Sequence, residues 1–199
     1  MSNRTASLSR DTRETQVSVT IDLDGTGQYS VDTPNGMFNH LIEQLARHGL
    51  MDITVNAKGD MSPGWHHLVE DVGITLGQAL RQAVGEGRGI ARMGHVIVPL
   101  DEALVLVAVD VGGRPYAVVK TPFQDSHIGD MPSDLVRHFL EVLALEGRLN
   151  LHAEILAGAN EHHKAEALFK ALARALRQAI AIDPRIAGEV PSTKGTISD

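Results

Sequence analysis

The chain has 199 residues, 43% of them hydrophobic and 22% charged, which is enough for one domain or two small ones with a buried core. Its net charge of −7 does not favour a general nucleic-acid surface, although a local basic site for a small anion is compatible with it. The chain has no cysteine, which excludes disulfides and thiolate metal sites, so any metal must be bound by histidine, aspartate or glutamate.

The N-terminal residues 1–9 are predicted to form a flexible segment. This start has no apolar stretch, so no signal peptide is expected. The longest clean apolar run, at 103–109, is too short to cross a bilayer and is typical of a buried strand. We therefore expect a cytoplasmic protein with neither a membrane nor a nucleic-acid partner.

Residues 10–91 contain a series of strand and helix signals. The stretch VSVTIDLDGTGQY, at 17–29, combines a strand, an acidic residue and a Gly-rich turn. A helix is predicted to begin near His40, and the alternating stretch MDITVNAKGD at 51–60 predicts another strand. A second helix-periodic segment then opens with HHLVE at 66–70.

Residues 92–186 repeat these features in the same order. VLVAVDVGGRPY at 105–116 matches the first strand and turn, and HFLEVLALEG at 138–147 matches the first helix. The strand-like LNLHAEILAG at 149–158 precedes HHKAE at 162–166, the second copy of His-His-x-x-Glu. Chance does not readily give the same order of features twice, so the repeat indicates an internal duplication.

The duplication predicts the fold class. We expect an α+β fold, a two-layer α/β sandwich with two pseudo-symmetric halves. Each half should carry an antiparallel sheet with helices on one face. The expected divisions are a flexible segment at 1–9, a first α/β repeat at 10–91, a second α/β repeat at 92–186 and a C-terminal tail at 187–199.

The histidine pairs have a spacing that suits metal binding. His66 and Glu70 are four residues apart and share one helix face, whereas the neighbouring His67 points elsewhere. Adjacent histidines are therefore best explained by two metals with the helix between them. The second copy offers the same groups, and each half adds one upstream histidine, which brings in His162, His163, Glu166, His40 and His138.

Imidazole and carboxylate ligands without sulfur fit Mn, Fe, Zn or Ni, and the pattern does not choose among them. A lone histidine in a helix is usually a structural or surface residue, so the metal interpretation depends on the repeated motif. His95, His127 and His152 have no such repeat and are interpreted as structural.

These motifs resemble the imidazoleglycerol-phosphate dehydratase family of histidine biosynthesis over about 10–197. The matching segments include PLDEALVLVAVDVGGRP, NLHAEILAGANEHHKAEALFKALARAL and VPSTKG, and the paired His-His-x-x-Glu motifs together with the terminal Ser-Thr-Lys-Gly are highly specific. The resemblance implies a hydro-lyase, a carbon–oxygen lyase, that converts imidazole glycerol phosphate to imidazole acetol phosphate through an imidazolate bound to two metals. It also implies a duplicated fold whose halves are each similar to domain 2 of ribosomal protein S5. It implies two Mn²⁺ per active site, and trimers assembled into a 24-subunit shell with active sites shared between subunits.

The resemblance also implies roles for particular residues. The implied metal ligands are His40, His66, His67, Glu70, His138, His162, His163 and Glu166. The implied contacts to the phosphate substrate are Glu14, His48, Arg92, Arg114, Ser192 and Lys194, and the implied catalytic groups are Glu14, His66, Glu70, His162 and Glu166. Glu14 is the candidate for proton transfer, and the tail is expected to close over the phosphate.

The chain departs from the family pattern at several places, which include RMG for the usual RFG and the turn DTPNGM, and two of the departures lie beside the metal motifs. Asn39 stands where the family usually has an acid, and Gly64 replaces an acidic residue two positions before the first histidine pair. Loss of outer hydrogen bonds can lower metal affinity. Two alternatives therefore stay open: a diverged metal-binding paralogue with another azole substrate, and a purely structural shell held together by metals.

Overall fold

The computed structural model describes residues 4–59, 64–186 and 188–197. The first half of this chain runs β1 (Thr5–Asp11), β2 (Thr15–Asp22), β3 (Tyr29–Asp32), α1 (Gly36–Gly49), β4 (Asp52–Gly59) and α2 (His66–Val84). The second half runs β5 (Met93–Leu100), β6 (Ala103–Asp110), β7 (Tyr116–Lys120), β8 (His127–Ile128), β9 (Met131–Pro132), α3 (Asp134–Glu146), β10 (Asn150–Ala157) and α4 (Glu161–Ile180). A short 3₁₀ turn, Pro184–Ile186, follows.

The two main sheets have the same strand order. The first sheet is ordered β1-β2-β4-β3 and the second β5-β6-β10-β7. The prediction of an α+β sandwich with two similar halves is therefore confirmed. The prediction of purely antiparallel sheets is wrong at one strand of each, because β3 is parallel to β4 and β7 is parallel to β10. In each sheet a helix lies between the parallel strands, which is the crossover that a parallel pair requires.

The first edge strand corrects the expectation of a flexible segment at 1–9. β1 pairs with β2 without interruption from Thr5 opposite Asp22 to Asp11 opposite Gln16. Ala6 is buried in the core, while the serines on either side of Leu8 face outwards. A strand made of serine and small apolar residues gives a weak signal, which explains the difference. Residues 1–3 of the expected segment lie outside the described residues.

Helix α1 begins four residues before its histidine. The side chain of Asn35 caps it by accepting a hydrogen bond of 2.8 Å from the N–H of Phe38. His40 therefore lies in the second turn of α1, and not at its beginning as predicted. The backbone N–H groups of Gly36 and Met37 donate to the Asp130 carboxylate at 2.7 and 2.8 Å, which joins this helix end to the second half.

The helices of the two halves pack against one another, with the sheets on the outside. α1 contacts α4 and α2 contacts α3, while α2 also covers the first sheet and α4 the second. The ring centroids of Phe38 and Phe139 lie 5.4 Å apart, and those of Phe139 and Phe169 lie 5.5 Å apart. This packing brings the histidine-bearing helices of one half against those of the other. Among the described residues, no helix is long and apolar enough to span a membrane.

Candidate metal centre

A first cluster, the α1/α4 cluster, joins a histidine of the first half to the second His-His-x-x-Glu motif. Nε2 of His40 lies 3.1 Å from Oε2 of Glu166, and Nε2 of His162 lies 3.0 Å from the same oxygen. The two imidazole centroids are 5.4 Å apart. Two nitrogens and a carboxylate oxygen from two helices therefore converge on one point.

A second cluster, the α2/α3 cluster, mirrors the first with the halves exchanged. The His66 and His138 rings are stacked, with centroids 4.5 Å apart, and Nε2 of His138 lies 3.5 Å from Oε1 of Glu70. Nε2 of His138 is buried and has no hydrogen-bond partner among the described residues. A buried nitrogen without a partner is costly unless a ligand or ion satisfies it.

The remaining histidine of each pair, His67 or His163, belongs to neither cluster. The rings of His66 and His67 are nearly perpendicular, at 82°, and those of His162 and His163 make an angle of 86°. Nδ1 of His67 lies 3.3 Å from Oε2 of Glu14. The two histidines of each pair therefore offer ligands in different directions.

His163 is held by a residue that the sequence analysis did not identify. Its Nδ1 donates a 2.8 Å hydrogen bond to Glu102. Backbone N–H groups, that of Asn160 foremost, together with the His163 imidazole lower the pKa of Glu102 to about 2. The Glu102 carboxylate in turn raises the pKa of His163. Glu102 is exposed in the turn between β5 and β6, where no helix or strand periodicity marks a residue for a site. The one sequence feature that could have identified it is its place within the family-like segment PLDEAL.

The Glu166 carboxylate remains ionised in the α1/α4 cluster. Burial raises its pKa, but the Lys170 ammonium, 2.6 Å away, and the imidazoles of His40 and His162 outweigh burial and lower it to about 2. Burial and the positive charges of Lys170 and Arg174 lower the pKa of His48. The negative charge of Glu166 acts on the same imidazole in the opposite direction and raises its pKa, but by less. His48 therefore lies in the electrostatic environment of this cluster.

The residues expected to bind phosphate make their described contacts with groups outside both clusters. The guanidinium of Arg92 donates to Asp110 at 2.7 and 3.0 Å and to the Pro191 carbonyl at 3.0 Å. The hydrogen bond from Arg92 to Asp110 raises the pKa of the arginine. The residues of this group are Arg92, Arg114, Ser192 and Lys194. In the described parts of the chain, none of them forms a hydrogen bond or ion pair with a residue of either cluster.

The C-terminal tail forms a turn where it is described. The Ser192 hydroxyl accepts a 3.2 Å hydrogen bond from the N–H of Lys194, whose side chain is exposed. Residues 187, 198 and 199 of the expected tail lie outside the described residues.

The carbonyl of Arg114 accepts a 2.6 Å hydrogen bond from Asn150, and this contact does not involve the guanidinium.

Asn39 has a local structural role. Its Oδ1 accepts a 2.6 Å hydrogen bond from the hydroxyl of Thr33, and its Nδ2 donates to the Thr33 carbonyl at 3.0 Å. Gly64 has a φ of +86°, and a Cβ atom there would meet no atom of the described residues within 4 Å. The described contacts of Asn39 thus support the start of α1 and not a cluster ligand directly.

The donor sets of both clusters fit a divalent cation. In each cluster, two imidazole nitrogens and one carboxylate oxygen lie within 4.8 Å of one another. Imidazole and carboxylate suit Mn, Fe, Zn and Ni, and three protein ligands leave positions open for further groups. The buried, unpartnered nitrogen of His138 in the α2/α3 cluster is consistent with such an ion.

Comparison with known proteins identifies relatives over the whole chain. The family model described as imidazoleglycerol-phosphate dehydratase matches residues 33–176. Proteins of that name from Dehalococcoides mccartyi and Methylorubrum extorquens are 55% and 51% identical, covering 100% and 98% of this chain and 100% of each relative. The crystal structure of the Staphylococcus aureus enzyme has a TM-score of 0.82 at 30% identity, covering 90% of this chain and 99% of its own. The Pyrococcus furiosus structure has a TM-score of 0.81 at 37% identity, covering 94% and 99%.

Proposed function

The chain belongs to the imidazoleglycerol-phosphate dehydratase family, and from that premise we propose that it removes water from imidazole glycerol phosphate to give imidazole acetol phosphate in histidine biosynthesis. This makes it a hydro-lyase. The observation that carries the proposal is the pair of clusters, each with two histidines and one glutamate drawn from both halves of the chain. We further propose a cytoplasmic location, in keeping with a biosynthetic enzyme.

Each cluster is proposed to hold one cation, Mn²⁺ in the cell. The α1/α4 cluster would use His40, His162 and Glu166, and the α2/α3 cluster would use His66, Glu70 and His138. Divalent cations held by these residues would supply Lewis acidity that favours the deprotonated, electron-rich form of the substrate imidazole. This chemistry suits a substrate whose reacting carbon is not next to a carbonyl and has no ordinary acidity.

The proton on that carbon needs a base, and Glu14 is proposed to take it. Its side chain is 54% exposed, and its carboxylate lies 3.3 Å from Nδ1 of His67. Glu14 is therefore beside a proposed metal ligand and accessible to a substrate bound there. A carboxylate at hydrogen-bond distance from the transferred proton is a suitable general base.

The phosphate group is proposed to bind to a set of basic and hydroxyl side chains at and before the tail. Guanidinium and ammonium groups bind phosphate through charge-assisted hydrogen bonds. Arg92 already bonds to the Pro191 carbonyl, which connects the arginine to the tail. The proposed phosphate ligands are Arg92, Arg114, Ser192 and Lys194, with His48 as a further substrate contact.

The active site is proposed to be shared between subunits. His67 and His163 belong to neither cluster of their own chain, so they are suited to complete clusters of neighbouring chains. The proposed assembly is a trimer, repeated into a 24-subunit shell. The two repeats, 10–91 and 92–186, are each proposed to supply one such histidine.

An apolar surface supports self-association. On the outward face of the second sheet, Met93, Ile97 and Tyr116 are 60%, 58% and 65% exposed. The matching face of the first sheet carries serine, threonine and asparagine, which are typical of a solvated surface. We propose that a second copy of this chain covers the apolar face, because large exposed apolar patches mark interaction sites.

The function is tested by a turnover assay combined with elemental analysis. The purified protein, supplied with Mn²⁺, should convert imidazole glycerol phosphate to imidazole acetol phosphate and carry two Mn²⁺ per chain. The gene should also restore growth of a histidine auxotroph that lacks this step. Metal-loaded protein without turnover would indicate the diverged paralogue, and a shell that dissolves without metal but never dehydrates the substrate would indicate a structural assembly.

A further inference from the structure

The turns that precede β2 and β6 each place a glutamate beside the outward-pointing histidine of the same half. Glu14 immediately precedes the first residue of β2, and Glu102 immediately precedes the first residue of β6. Oε2 of Glu14 lies 3.3 Å from Nδ1 of His67, and Oε2 of Glu102 lies 2.8 Å from Nδ1 of His163. Because both sheets have the same strand order, the two glutamates occupy equivalent positions.

The carboxylate of Glu102 is anchored at both oxygens. Oε1 accepts hydrogen bonds from the backbone N–H groups of Ala159 at 3.1 Å and Asn160 at 2.7 Å, in the turn that leads into α4. Oε2 accepts the hydrogen bond from His163. The carboxylate therefore cannot rotate without losing bonds to the backbone that carries His163.

The turn that carries Glu14 is anchored by hydrogen bonds, but the Glu14 carboxylate itself has fewer partners than the Glu102 carboxylate. Its N–H donates to the Thr12 hydroxyl at 3.1 Å, and the adjacent Thr15 hydroxyl donates to Asp71 of α2. Within the described residues, the only recorded hydrogen bond or ion pair of the Glu14 carboxylate is the contact with His67. This carboxylate can therefore move without breaking a backbone hydrogen bond.

We propose that the duplication has given these equivalent glutamates different tasks, Glu102 being a positioning residue that fixes the tautomer of His163 while Glu14 keeps a mobile carboxylate. A carboxylate only accepts hydrogen bonds, so Nδ1 of His163 must carry the proton. That tautomer leaves the lone pair of Nε2 for a metal, and fixes the ring plane as well. The inference rests on the proposed function, because it requires His163 to be a metal ligand.

The variant Glu102→Gln tests this role. The amide oxygen of glutamine can retain both backbone hydrogen bonds, so the fold should survive. Its NH₂ group then faces His163 and donates, which moves the ring proton to Nε2 and blocks the metal-binding lone pair. We expect the Mn²⁺ affinity of the affected sites, measured by titration calorimetry of the full chain, to fall about 10- to 100-fold.

Two further variants separate tautomer control from shape and from charge. Glu102→Asp keeps an accepting carboxylate but is shorter, so it should bind Mn²⁺ more tightly than Glu102→Gln; a role in shape alone predicts the opposite order. Asp101→Asn controls for charge, because it removes a negative charge 3.7 Å from Nε2 of His163 but no hydrogen bond to Nδ1. It should weaken Mn²⁺ binding less than Glu102→Gln does.

Glu14→Gln completes the comparison. Its unanchored amide can turn away from His67, so this variant should keep wild-type Mn²⁺ affinity while it loses turnover. Equal Mn²⁺ affinity of Glu102→Gln and the wild type would overturn the inference, as would failure of Glu102→Gln to fold. A wild-type protein that binds no Mn²⁺ would instead overturn the proposed function.

Discussion

At the scale of single residues, Glu166 shows how the proposed metal centre is kept charged before an ion binds. One of its oxygens faces both Nε2 atoms of the α1/α4 cluster, and the other lies 2.6 Å from Nζ of Lys170. Lys170 is only 19% exposed, which limits screening by solvent. The lysine therefore acts as an internal counter-ion that holds the carboxylate ionised.

This charge pairing predicts a pH dependence of stability. The pKa of Glu166 is lowered from 4.5 to about 2 in the folded chain, so its ionised form stabilises the fold above 4.5, and that contribution is lost as the pH falls towards 2. Denaturant unfolding of the metal-free wild type and of Glu166→Gln should show it. The difference in free energy of unfolding between them should shrink across this range. A difference that does not change with pH would contradict the assignment.

The sequence predicted which residue types gather at the site, but not which of them meet. Spacing on a helix is enough to place Glu70 on the face of His66, because both belong to one element. The meeting of His40 with Glu166 depends on how α1 packs on α4, and no local pattern specifies that packing. Glu102 was missed for the same reason: its partner His163 is 61 residues away.

At the scale of secondary-structure elements, the α2/α3 cluster depends on close approach of two helices. A Cβ atom at Gly77 of α2 would lie 2.9 Å from Cβ of Glu146 and 2.9 Å from the backbone nitrogen of Gly147. Such short contacts with backbone atoms require the helices to move apart. Glycine at this position therefore permits the helix spacing that brings His138 to Glu70.

Gly77→Ala should consequently destabilise the protein although alanine favours helices. The gain in helix propensity is about 1 kcal/mol, whereas overpacking costs about 1–3 kcal/mol. We expect a lower Tm and weaker Mn²⁺ binding, measured by calorimetry. Gly73→Ala on the same helix is the control, because its Cβ would meet only side chains, at 3.2 Å or more, and should be tolerated better. Greater stability of Gly77→Ala would contradict this account.

The elements themselves were largely predictable. Repeated periodic segments predicted the four helices found in the described chain and the central strands of both sheets, and the family membership that they indicated is confirmed. The edge strand β1 was not predicted, because its alternation of serine with small apolar residues is weak. The parallel pairing of β3 and β7 was also missed, since these short strands follow Gly-rich turns that favour a hairpin interpretation.

At the scale of the whole molecule, the two sheets differ most in their outward faces. Ile97 pairs with Leu106 on the apolar face of the second sheet, as Ser9 pairs with Ser18 on the polar face of the first. Equivalent positions have thus acquired opposite polarity. The difference is explained if another copy of the chain covers one face and water covers the other.

The substitution Ile97→Glu tests this explanation. A charge placed in a buried apolar interface is costly, so the variant should form smaller assemblies than the wild type in analytical ultracentrifugation. Ser9→Glu introduces the same charge at the matching position of the polar face and should leave the assembly intact. Wild-type assembly of Ile97→Glu, or dissociation caused by Ser9→Glu, would show that this apolar face is not the interface.

The central claim is that each metal is bound by helices from both halves of the duplicated chain. Anomalous diffraction from crystals grown with Mn²⁺ tests it most directly, because it locates manganese independently of the protein coordinates. We predict two peaks per chain, one touching His40, His162 and Glu166 and the other touching His66, Glu70 and His138. Peaks elsewhere, or a single metal bound by ligands of one half alone, would contradict the account.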